Sequence, residues 1–108
     1  MVQREKANFA KNSFNSIILD CLGCKWTILL MSQIARGINR PGELVRVIDG
    51  LSTKVLNQSL TRMIDYQILD KKSFAEVPPR VEYSLTPFGL ELWQLLLKLE
   101  SLQAKYFS

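Results

Sequence analysis

The stretch from Pro87 to about Tyr106 constrains this chain more than any other segment. Glu91, Gln94, Lys98, Ser101 and Lys105 follow one another at spacings of three and four, which traces one narrow polar stripe along a helix. Only Glu100 and Gln103 fall clearly outside that stripe. Most of the rest is apolar: Phe88, Leu90, Leu92, Trp93, Leu95, Leu96, Leu97, Leu99, Leu102, Tyr106 and Phe107. A helix buried on one side of a small domain needs an apolar arc of somewhat over about 100°. This helix exceeds that by a wide margin, and a single domain of 108 residues has too little left to cover it. The surplus predicts a second copy of the chain. Leu92, Trp93, Leu96, Leu99, Leu102 and Tyr106 are the expected dimer contacts, with Phe14 and Ile18 of a first helix beside them. A membrane surface is the rival partner, but the polar stripe carries too few cations for one.

Composition removes several classes of chemistry. The chain has no histidine, which excludes histidine acid–base catalysis and histidine-containing metal sites. Two cysteines cannot build an all-cysteine zinc site within one chain. No catalytic residue, metal or cofactor is expected. Fourteen Lys and Arg against ten Asp and Glu give +4. The segment from Lys25 to Arg80 holds nine cations and five anions, so it carries that whole excess. The charge leans towards an anionic partner. Residues 1–12 form a polar arm without the apolar run of a leader, and 13–108 read as one domain. Asp20 and Lys25 break the most apolar stretch, Ile17 to Ile34, so no membrane span is expected. A cytoplasmic location with reduced cysteines follows.

Periodicity places a first helix from Ser13 or Asn15 to Leu22, with Phe14, Ile17, Ile18 and Cys21 on one face. A second helix starts near Lys25 and stops at Gly37, and a third runs from Pro41 to Ile48. Ser52 caps a fourth over 52–66, in which Val55, Leu56, Leu60, Met63 and Ile64 form the apolar stripe. Its other face presents Thr53, Lys54, Asn57, Gln58, Thr61 and Arg62, with no acid until Asp65. An ordinary solvated face mixes Glu with Lys; hydroxyls, amides and cations instead suit base edges and phosphates. Ile68 to Phe74 and Val81 to Leu85 read as two strands joined across Pro78-Pro79, together spanning 69–85 as a basic ribbon. Thr86-Pro87 then starts the last helix. Four helices, a hairpin and a helix, with an amide-rich helix before the hairpin, are the plan of a winged helix-turn-helix. The fold class is mainly α (α+β), with a two-stranded wing and a C-terminal dimerisation helix.

Several blocks resemble the HxlR-type transcriptional regulators, a MarR-like branch of that fold. They are Gly23-Cys24-Lys25-Trp26-Thr27, Gly42-Glu43-Leu44, Leu51-Ser52-x-Lys54-x-Leu56 and the run from Glu76 to Pro87, spread over about residues 13 to 100. The resemblance implies a dimeric, sequence-specific regulator that binds an operator in double-stranded DNA. Three departures stand out. Cys24 replaces the second glycine of the family's paired glycines. Ser59 stands where many relatives carry an arginine. The cysteine that redox-sensing relatives place near the first helix aligns with Asn12-Ser13.

On this reading Thr53, Lys54, Asn57 and Gln58 face bases, and Thr61 and Arg62 face the flanks. Lys71, Lys72 and Arg80 are the wing's cations, Arg80 being expected at the Pro-Pro tip and suited to a narrow minor groove. Lys25 and Thr27, at the start of the second helix, are candidates for a phosphate. Cys21 and Cys24 form C-x-x-C: two small buried side chains, or a thiol switch answering an oxidant. A small-molecule effector is the other regulatory option. The alternative functions are a protein-interaction adaptor on the same fold, which Ser59 keeps open, and a thiol-based redox sensor.

Overall fold

A computed structural model describes residues 13–107, so the polar arm lies outside the described residues. The elements are α1 (Phe14–Ser16), continued by a π-helical segment (Ile17–Leu22), then α2 (Lys25–Ala35), α3 (Pro41–Val47) and α4 (Thr53–Asp65). Strands β1 (Leu69–Phe74) and β2 (Arg80–Leu85) and helix α5 (Pro87–Phe107) complete the chain. This is the expected winged helix-turn-helix.

The first helix departs from the expected α-helix. Ser13 accepts from the Ser16 amide and starts one α turn, after which the bonding widens, with Gly23 N–H donating to Ile18 C=O at 2.8 Å. A repeat of five puts Ser16 with Cys21, and Ile17 with Leu22, on the inward face. Phe14, Ile18 and Leu19 are consequently exposed, so the single face expected for Phe14, Ile17, Ile18 and Cys21 is split: Ile17 and Cys21 turn to the core, and Phe14 and Ile18 stay outside as the expected dimer contacts would.

The core joins all the helices to the root of the wing. Leu30, Met31 and Ile34 of α2 meet Leu44, then Leu56, Leu60 and Met63 of α4, with Ile68, Leu69 and Tyr83 closing the bottom. Each fully buried leucine contributes about 1.5–3 kcal/mol. Two helices end alike. At the end of α2, Ile38 N–H bonds Gln33 C=O and Gly37 N–H bonds Ile34 C=O, with Gly37 at φ 96°. At the end of α4, Ile68 N–H bonds Met63 C=O and Gln67 N–H bonds Ile64 C=O, both at 2.9 Å. Gln67 occupies the left-handed position there, at φ 62°.

That second turn seats α5. Thr86 Oγ1 donates to Gln67 C=O at 2.6 Å and accepts from Gly89 N–H at 2.8 Å, so it is the expected cap. Gly89 is the only α5 residue that is buried, because its Cα rests on the Ile68 peptide. The other 20 residues of this 21-residue helix remain at least partly exposed. No single helix among the described residues is long and apolar enough to cross a membrane.

Candidate nucleic-acid interface

Helix α4 is held from both ends. Ser52 Oγ accepts from Val55 N–H at 3.1 Å and satisfies one free amide of the first turn. At the other end Tyr66 donates its hydroxyl to Asp20 Oδ2 at 2.8 Å, tying the helix to the π segment. Burial and that carboxylate push the Tyr66 phenol up from its ordinary pKa. With Leu56, Leu60 and Met63 inward, Thr53, Lys54, Asn57, Gln58 and Thr61 are all exposed along one side. An open groove separates this side from Leu19 and Asp20.

Arg62 stands apart from its neighbours. It is half-buried and donates Nη1 to Cys24 Sγ at 3.3 Å, so α4 is bonded to the start of α2. Ser59 is 1% exposed. Its side chain belongs to the core, so Ser59 itself presents nothing to the outward face. Thr27 is also fully buried and cannot meet a phosphate, while Lys25 remains exposed with its ammonium 4.8 Å from the Trp26 ring.

The wing pairs Leu69 with Leu85 through Phe74 with Arg80 in antiparallel register. Arg80 is the first residue of β2 and not a free tip residue. Its guanidinium reaches Glu76 at 3.1 Å and Glu82 at 3.6 Å and lies 3.9 Å from the Phe74 ring centroid. Lys72 approaches the same ring at 5.2 Å. Glu82 also takes Arg40, at 3.4 Å, from the segment before α3. Two arginines thus share one acid, which moderates the positive charge on the outer half of the wing. The Tyr83 amide donates to Asn39 C=O at 3.0 Å and fixes the wing to the same segment. Lys71 and Lys72 stand exposed on β1. Arg40 was missed as a wing partner because 42 residues separate it from Glu82.

On α5 the expected interface residues divide. Leu92, Trp93 and Leu96 are half-buried against the chain's own core. Leu99, Leu102 and Tyr106 are exposed, as are Leu90, Leu95, Leu97 and Phe107. Phe14 and Ile18 of the first helix are exposed too.

The pattern of the family described as HxlR-like helix-turn-helix matches residues 21–108. MalR of Fusobacterium mortiferum, described as a regulatory protein, is 36% identical over 97 residues, covering 89% of this chain and 91% of MalR. An HTH-type transcriptional regulator of Synechocystis is 36% identical over 85 residues, 79% of this chain, which spans 63% of that relative's length. The solved structure of a protein described as a MarR-family transcriptional regulator from Enterococcus faecalis V583 superposes with a TM-score of 0.79. It is 33% identical and the match covers 95% of this chain and 94% of that one. The chain belongs to the HxlR-like helix-turn-helix family of transcriptional regulators, on a MarR-like winged-helix fold.

Proposed function

We propose that the protein is a homodimeric, sequence-specific DNA-binding regulator, with each α4 in a major groove and each wing against the neighbouring backbone and minor groove. The observation that carries this is the outward side of α4. Thr53, Lys54, Asn57, Gln58 and Thr61 are exposed together, without an acid among them, beside a wing bonded to the same body. Asn57 and Gln58 suit adenine edges, and Lys54 suits guanine or phosphate. Thr61 and Arg62 lie towards the flank, and the exposed Lys25 at the start of α2 offers a phosphate contact. Lys71 and Lys72 supply sequence-independent attraction. Arg80 acts first as a positioning residue that braces the ribbon through Phe74, Glu76 and Glu82. The protein is no enzyme, works in the cytoplasm and takes no cofactor.

The apolar exposure of Leu99, Leu102 and Tyr106, with Phe14 and Ile18, supports pairing through α5 and the first helix. A two-fold dimer would set two half-sites about one helical turn, or about 34 Å, apart.

Selecting bound fragments from genomic DNA and then measuring fluorescence anisotropy tests the reading. Asn57→Ala should change which sequence is preferred. Lys71→Ala with Lys72→Ala should weaken all sequences alike. Leu99→Glu with Leu102→Glu should give a monomer in sedimentation and lose the full-length site. Unchanged selection and affinity in all three would sink the docking geometry.

A further inference from the structure

The junction between the π segment and α2 holds chemistry that DNA docking does not use. Cys24 is the N-cap residue of α2, half-buried and extended at φ −76° and ψ 134°. Cys21 is fully buried one turn earlier, and Cys24 N–H donates to Cys21 C=O at 3.0 Å. Such a turn sets the two Cα atoms within about 7 Å, the span a disulfide bridges. Arg62 brings its guanidinium to Cys24 Sγ at 3.3 Å. The Thr27 hydroxyl is completely buried, has no oxygen or nitrogen partner and faces the two sulfurs, which are weak acceptors.

The two thiols are pulled apart electrostatically. Burial pushes the Cys21 thiol above its ordinary pKa, more than Thr27 and Arg62 can offset against Asp20 and Cys24. Burial also raises Cys24, but the Trp26 amide together with the charge and hydrogen bond of Arg62 outweighs it and holds that thiol low. One sulfur is an activated nucleophile, and its neighbour keeps its proton.

We propose that Cys24 is a site of oxidation by small hydroperoxides, with Cys21 as the resolving thiol, Arg62 as the group that receives the oxidant and the buried Thr27 hydroxyl behind the two sulfurs. A half-buried sulfur backed by a hydroxyl and a guanidinium admits a small polar reactant better than a bulky one. In the first step the Cys24 thiolate attacks the terminal peroxide oxygen. An S–O bond forms and the O–O bond breaks; the departing alkoxide, held by Arg62, takes a proton from solvent and leaves as the alcohol. Cys24 is oxidised to the sulfenic acid as the peroxide is reduced. In the second step the Cys21 sulfur attacks the Cys24 sulfur. The S–S bond forms, the S–O bond breaks, and hydroxide leaves with the Cys21 proton as water. Either product removes the negative sulfur that Arg62 holds. Because Arg62 belongs to α4, the change is passed to the DNA-facing helix; this coupling, unlike the oxidation, rests on the DNA-binding reading.

The test exposes the reduced full chain and its Cys21→Ser, Arg62→Gln and Arg62→Lys variants to hydrogen peroxide at neutral pH, with circular dichroism to verify folding. Intact mass should show loss of two hydrogens in the native chain and gain of one oxygen on Cys24 in Cys21→Ser. Oxidation should run at least about tenfold faster than free cysteine, which is only a few per cent thiolate near pH 7. Arg62→Gln should fall towards the free-cysteine rate, and Arg62→Lys should recover part of the difference. A Cys24 that oxidises no faster than free cysteine, or a rate indifferent to both Arg62 variants, overturns the proposal. Disulfide formation should also weaken DNA affinity by about tenfold, the worth of one charge-assisted contact. Unchanged affinity of the fully oxidised chain overturns the coupling. A reduced chain that binds no DNA overturns the docking reading instead, and the mass readout still decides the thiol chemistry.

Discussion

Gly89→Ala probes the joint on which α5 is mounted, and two physical arguments give it opposite signs. Helix propensity alone favours alanine over glycine by about 1 kcal/mol. The packing says otherwise. A Cβ on residue 89 would overlap the Ile68 carbonyl oxygen and lie 3.1 Å from its carbon and 3.3 Å from its Cα. That carbonyl cannot retreat freely, because it accepts from Thr86 N–H at 3.0 Å and its peptide belongs to the turn that ends α4. Backbone against backbone has no rotamer to yield, so the helix itself must lift. Overpacking of this kind costs about 1–3 kcal/mol. Lifting also strains the Thr86 cap on Gly89 and the Thr86 bond to Gln67, each worth about 1 kcal/mol. The net expectation is a loss of about 3 kcal/mol, from a domain whose total is about 5–15 kcal/mol. With a urea slope of about 1–2 kcal/mol/M, the midpoint should drop by about 2 M. Urea titration followed by circular dichroism reads this directly. A midpoint equal to or above that of the native chain would refute the seating of α5 on Ile68.

Gln67→Gly, at the neighbouring left-handed position, should raise stability by about 1 kcal/mol in the same titration, since glycine adopts φ 62° without strain; a loss would show that the Gln67 side chain holds the turn. Glu82→Gln removes the acid shared by Arg40 and Arg80, and should strengthen DNA binding and steepen the log–log salt slope by about one. A flat response in anisotropy across salt concentrations would place both arginines away from phosphate. Stability should decline in alkali. Burial raises the pKa of Cys21, Tyr66 and Tyr83, so each contributes fully below its unfolded value and loses that contribution as pH climbs past about 8.5 for the thiol and about 10 for the phenols. Cys24, held low, opposes the trend. Urea midpoints at pH 7.5 and above 10 should differ in that direction, and Tyr83→Phe should shrink the gap; a higher midpoint in alkali contradicts it.

What the sequence revealed and what it hid separate by range. The outward side of α4 was legible because it is local: Ser52, the apolar stripe and the run of amides and hydroxyls lie within fifteen residues and obey one period. The hairpin was legible for the same reason, through the alternation of Val81, Tyr83 and Leu85. The first helix is legible only in part, because its backbone repeats every five residues from Ile17 on and so parts Phe14 and Ile18 from Ile17 and Cys21, which an α-helical repeat groups on one face. The contacts of Arg80 were hidden because proximity to Pro78-Pro79 says nothing about Phe74, which meets it only through strand register. Arg62 on Cys24, Arg40 on Glu82 and Gly89 on Ile68 join segments far apart in the chain, and no local pattern announces them. Gln67 is hidden for another reason, since its residue type gives no sign of the left-handed turn that glycine would have signalled.

The Asn39 bond to Tyr83 has a consequence beyond orientation. A two-stranded ribbon has two open edges, and each is a template onto which another chain can add a strand. Here β2 is flanked on one side by β1 and on the other receives a backbone partner from the segment before α3. The outer edge of β1 is the one left over, and it carries Asp70, Lys71 and Lys72 in succession. Clustered charge on an open edge discourages unwanted strand pairing. The lysines proposed to draw the protein to DNA are thus also placed to protect it from its own kind, and neutralising them should trade that proposed attraction for a tendency to aggregate.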